Sequence, residues 1–210
     1  MISPSWRRLM LTTHLTASLG WLGAVVAFLA LSIAGVSSGD GQIVRASYLT
    51  MRLVTWYVIV PFSLAALLTG IIESAGTPWG FVRHYWVAAK LALTVVATML
   101  LLLHTQPIDR VADAASIATL SGADLHHLRL QLIGDASAAV FVLFVTTVLS
   151  VYKPWGFTPY GLRVQVAAGR TDHTRRRSEP RSSAFVLVAA FIFIAIVVVL
   201  HLAGLGLGHH

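Results

Sequence analysis

The chain has 210 residues and a net charge of +7, yet only 11% of its residues are charged and 57% are apolar. Soluble domains carry about 25% charged residues, so the composition excludes an ordinary soluble fold and points to a small bundle of membrane spans. There is no cysteine, which excludes disulfides and thiolate metal sites. The 13 arginines and 2 lysines cluster largely in one loop between apolar segments, the pattern of a cytoplasmic membrane face and not of a nucleic-acid surface.

In chain order, the first apolar segment runs from Leu9 to Val36, 28 residues without a charge, preceded by Arg7 and Arg8. A signal peptide has a similar basic start but an apolar core of only about 7–15 residues, so a retained transmembrane helix is expected. The second segment, Leu53 to Ile72, is interrupted by Pro61, which a membrane helix tolerates when neighbours satisfy the freed carbonyl. The third is Arg83 to His104, with Lys90 in its first third. The fourth is Ala136 to Tyr152, and the fifth, Ala184 to Leu207, is rich in Ile, Val and Phe.

The expected fold is all-α integral membrane. A four-helix transmembrane bundle occupies residues 1–162, with spans at about 9–36, 53–72, 85–104 and 136–152. A basic cytoplasmic linker follows at 163–183, then a fifth C-terminal transmembrane helix and short tail at 184–210. Between the third and fourth spans, Val111–Leu120 and Ala123–Leu132 read as short helices lying at the membrane surface. Pro78-Trp79-Gly80-Phe81 recurs as Pro154-Trp155-Gly156-Phe157, which interfacial chemistry accounts for; an old duplication is the alternative.

Orientation follows from the basic residues. With the N-terminus in the cytoplasm, ten of them fall inside, seven in the loop before the fifth segment. Four fall outside (Arg45, Arg52, Arg110 and Arg129), and Lys90 lies within the membrane. This favours a cytoplasmic N-terminus and an external C-terminus, in a bacterial cytoplasmic membrane.

Two groups of residues carry the candidate chemistry. His14 lies about two turns into the first helix, and Lys90 lies at a matching depth in the third. Trp21, seven residues after His14, shares its helix face. A histidine within a membrane helix serves as an axial haem ligand, a proton carrier or a hydrogen-bonded packing residue, and these readings remain open. Lys90 either reaches the headgroups or faces a carboxylate such as Glu73 or an acidic ligand. The second group lies at the opposite side, where six of the nine histidines fall. His104, Asp135 and His201 form a candidate metal site there, for a copper- or zinc-type ion. Lys90, Thr94, Ala97, Leu101 and His104 share one helical stripe, with Lys90 and His104 roughly 21 Å apart along the axis.

The pattern His14-x6-Trp21 in the first span, with Trp86-x3-Lys90 and a later histidine in the third, resembles bacterial membrane families of the CopD (copper resistance) and HemJ (protoporphyrinogen oxidase) type. The nearest likeness is to their uncharacterised relatives, described as predicted integral membrane proteins. The resemblance covers roughly the first three spans. It implies a small helical bundle with a b-type haem on His14, and with Trp21 and Lys90 at the same site.

Two functions follow. One is a haem-b-associated membrane redox protein. The other is a non-enzymatic membrane metal-handling protein or accessory subunit of a membrane complex. The expected surroundings are the lipid bilayer, with other membrane subunits or further copies of the chain, and no nucleic acid. No phosphate-binding Gly loop, H-E-x-x-H or nucleophile elbow is present, and whether the protein is an enzyme is left open.

Overall fold

The computed structural model describes residues 4–76, 84–117, 123–152 and 163. The fifth apolar segment, His201, Arg83, both Pro-Trp-Gly-Phe runs and all but the first residue of the basic linker lie outside the described residues.

The described elements are all helical: α1 (Pro4–Ser37), α2 (Gly41–Val54), α3 (Val60–Gly76), α4 (Tyr85–Leu103), α5 (Thr105–Ser116) and α6 (Ala123–Tyr152). A π-turn, Thr55–Ile59, joins α2 to α3, so the two run as one long helix. Four helical stretches are long and apolar enough to cross a membrane: Ser5–Ser37, Gly41–Ala75, Tyr85–Ser116 and Leu125–Val151. Over the described residues the chain is all-helical, and four such stretches make it a multi-pass membrane protein.

The helices alternate in direction. His14 meets Thr69 and Gly70, Gly20 meets Phe62, and Gly35 meets Tyr48, so α2–α3 runs antiparallel to α1. His104 meets Asp135, and Leu93 packs with Leu149, so α6 runs antiparallel to α4. The bundle therefore has a near end, where α1 begins, and a far end at the α1–α2 turn.

The turn itself is short. Asp40 caps α2 by accepting from the Gln42 backbone N–H at 2.8 Å, as expected of an N-cap carboxylate. The helix then starts twelve residues before the expected span at Leu53. Arg45 and Arg52 interrupt the apolar run in the sequence, but they lie on one face, while Val44, Tyr48 and Met51 are buried on the other.

α5 differs similarly from a helix lying on the membrane surface. It begins at Thr105 and buries Ile108, Val111, Ala112 and Ala115. Its acidic face meets α2 and the π-turn through Arg52 to Asp113 at 2.7 Å and Trp56 Nε1 to Asp109 at 3.2 Å. α6 begins at Ala123, so the expected second surface helix is its first turns. Here Arg129 donates to the Gly35 carbonyl and, at 2.7 Å, to the Tyr48 hydroxyl, tying α1, α2 and α6 at the far end. Its guanidinium also stands 5.4 Å from the Tyr48 ring centroid, within cation–π range.

The π-turn has a local cause. Pro61 has no N–H, and its ring crowds the carbonyl four residues back, that of Tyr57. The backbone widens just before it, with the Val60 N–H bonding the Thr55 carbonyl. Thr55 and Ile59 are thereby buried.

Candidate functional site

The core contains two polar clusters and, reaching one of them, an apolar cavity. The near-end cluster joins α1, α3 and α4. His14 Nδ1 lies 2.9 Å from Thr69 Oγ1, and Lys90 Nζ lies 3.1 Å from His14 Nε2. An ammonium only donates, so Nε2 accepts and Nδ1 carries the ring proton. Nδ1 donates to Thr69, whose hydroxyl donates to the Ala65 carbonyl at 2.6 Å. Gly70 makes the approach possible, since a Cβ there would stand 3.1 Å from His14 Cε1. Glu73 lies within electrostatic reach of Lys90 without a direct ion pair. Its buried Oε1 has no hydrogen-bond partner among the described residues.

A haem iron needs a ring-nitrogen lone pair. In this arrangement His14 offers none, because both nitrogens are engaged and Cε1 abuts Gly70. The residues around His14 as placed do not fit an axial haem ligand.

The far-end cluster joins α4 and α6. His104 Nε2 lies 3.1 Å from Asp135 Oδ2, and Nδ1 lies 2.6 Å from the Leu100 carbonyl. The carbonyl only accepts, so Nδ1 carries a proton. With Nε2 protonated as well, the imidazolium and the Asp135 carboxylate form an ion pair without net charge. Of the expected metal set His104, Asp135 and His201, the first two are in contact and His201 lies outside the described residues. Among the described residues, no three His, Cys, Asp or Glu side chains converge on a point that could hold a metal.

The cavity has a volume of about 570 Å³, within the range of about 300–1,000 Å³ for small-molecule sites. Trp21, Val25 and Phe28 of α1 line one side, and Leu93 to His104 of α4 and Leu132 to Val142 of α6 line the others. Thr55 and Ile59 of the π-turn complete the wall. π-turns inside α-helices recur at functional sites. The walls are apolar along most of their length, and His104, Asp135, Gln131 and His127 gather at the far end. Leu93 to His104 is eleven residues, so the cavity extends roughly 16 Å along the helix axis.

Trp21 therefore belongs to the cavity, about two turns along α1 from His14, and shares it with His104. Its side chain is 3% exposed.

Several residues of the site were not singled out by sequence. Gln131 stands at i+4 between His127 and Asp135, a one-face spacing readable from the sequence. Thr55 and Thr69 carry no such signal, because hydroxyls in membrane helices usually bond their own backbone. No family model, curated protein or solved structure matches the chain.

Proposed function

We propose that the protein binds a lipid-soluble small molecule between α1, α4 and α6, in a bacterial cytoplasmic membrane with its N-terminus in the cytoplasm. The cavity carries this reading: an apolar space between three helices with the buried His104 imidazole and the half-buried Asp135 carboxylate at one end. Apolar pockets with a few convergent polar groups are the usual form of small-molecule sites. The basic residues after the fourth span support the orientation, and the Ala184–Leu207 segment supplies a fifth span that ends outside.

A photoreactive decyl-diazirine probe tests the binding on the full chain in lipid nanodiscs. Labelling should concentrate on Leu93 and Ala139, which face the cavity, and Ala139→Trp should remove it. Labelling confined to outward residues such as Leu15, Leu68 and Phe144 refutes the reading. Topology is tested separately. The chain lacks cysteine, so Ser38→Cys and Thr171→Cys report alone. The first should react with an impermeant maleimide in intact cells, and the second only after permeabilisation; the reverse pattern overturns the orientation.

The His104–Asp135 contact also supports a second reading, metal handling. Zinc binding that is lost in His104→Ala would favour it.

A further inference from the structure

We infer that the cavity selects a quinone-class ligand: a neutral ring bearing carbonyl oxygens, held at the His104–Asp135 end, with an apolar tail lying toward Trp21. This rests on the cavity being a binding site, as proposed above.

Charge comes first. The His104 imidazolium and the Asp135 carboxylate compensate each other across 3.1 Å, and the pair sits at the end of apolar walls. A fatty-acid carboxylate or a phosphate headgroup would stand beside Asp135, and among the described residues lining the cavity there is no Lys or Arg to meet it, so desolvating it there is unfavourable. A neutral head has no such penalty.

Hydrogen bonding then separates neutral heads. The far-end wall offers donors in Gln131 and His127, and an exchangeable proton on the His104–Asp135 pair. A quinone carbonyl accepts from these, and the hydroxyl of the reduced form donates to Asp135, so one site serves both forms. A simple alcohol presents a single oxygen and satisfies fewer of them.

Shape agrees. The apolar stretch runs roughly 16 Å along α4 and is flanked by the rings of Trp21 and Phe28. An unbranched or isoprenoid tail fits such a channel.

The test uses the full chain in nanodiscs and the same decyl-diazirine probe. Competitors are decyl-benzoquinone, decanol and decanoic acid, matched in chain length. Protection of Leu93 and Ala139 by the quinone should need at least about tenfold less competitor than by the other two, the worth of roughly one good hydrogen bond. His104→Asn and Asp135→Asn should erase that advantage while leaving cavity labelling in place. Equal protection by all three competitors overturns the quinone assignment and leaves the cavity reading standing. Stronger protection by decanoic acid overturns it in favour of an anionic amphiphile. No cavity labelling in the wild-type chain overturns both, with the space filled by the chain itself. The competition series needs no variant to fold.

Discussion

Replacing His14 by leucine removes both ring nitrogens while roughly keeping side-chain volume, and it strands Lys90. His14 is 8% exposed and receives the Lys90 ammonium at 3.1 Å. Thr69 keeps its bond to the Ala65 carbonyl, so the lysine alone loses its partner. Removing one partner of a buried charged pair costs about 3–5 kcal/mol in soluble proteins. Interhelical hydrogen bonds in membranes measure about 0.6 kcal/mol and reach about 1.7 kcal/mol. Lys90 is only half-buried and retains Glu73 nearby, so His14→Leu should cost about 2–3 kcal/mol. Lys90→Met instead leaves a single imidazole nitrogen unpaired and should cost about 1 kcal/mol. The double variant should also cost about 1 kcal/mol, which makes the pair coupled by about 2 kcal/mol. Reversible unfolding in mixed micelles with increasing dodecyl sulfate measures all four proteins. If the two single costs simply add in the double variant, or if His14→Leu costs less than about 0.5 kcal/mol, Lys90 is held by headgroups and the cluster is not a structural unit.

Two further outcomes follow from the far end and the helix surfaces. Gly35→Ala places a Cβ 2.7 Å from Tyr48 Cζ, and Arg129 holds that ring in place. The variant should lose about 1–3 kcal/mol in the same unfolding assay, whereas Gly23→Ala, with nothing within 4 Å, should gain about 0.5–1 kcal/mol from helix propensity. Arg52→Ala breaks an ion pair whose side chains are 38% and 70% exposed. It should cost less than about 1 kcal/mol at low salt and almost nothing at high salt.

The spans were legible because each is a long, predominantly apolar run, despite Pro61 in the second and Lys90 in the third, and their number among the described residues follows from length and composition. Their far-end extensions were not. Arg45, Arg52 and Asp109 read as loop residues and Asp113 as part of a surface helix, since charge ends an apolar run in sequence. In the fold they form the outward faces of α2 and α5, paired across the contact, while Tyr48, Met51 and Val111 fill the inward faces. The meeting of His14 with Lys90 was legible as matching depth on two helices, and that of His104 with Asp135 as shared position at the opposite end. The placement of Trp21 was not. Its spacing from His14 assigns the two to one face, but a face two turns long passes from one site into another. Only the neighbours show that His14 meets Thr69 and Lys90 whereas Trp21 meets the cavity.

That difference has a general cause in the way α1 is buried. His14, Ala17, Trp21, Val25, Phe28, Ser32 and Gly35 are buried at steps of three and four, a regular inward stripe. Hydrophobicity does not mark it, because the opposite face carries Leu11, Leu15, Leu19, Val26 and Ile33, all exposed. In water those residues would define the core; in a bilayer they face lipid as apolar as themselves, and nothing drives them inward. What drives the stripe inward is the cost of leaving His14 or a hydroxyl among acyl chains, together with the close approach that small residues permit. The fully buried Ser32, Thr55 and Ser63 obey the same rule, each donating to its own helix backbone. The stripe still carries Trp21, Val25 and Phe28, so polar and small residues set its position without excluding large ones. The apolar cavity is bordered by Thr55 and Ile59 of the π-turn along its wall and by His104 and Asp135 at its end. Residues that fix the packing therefore also border the space to be filled.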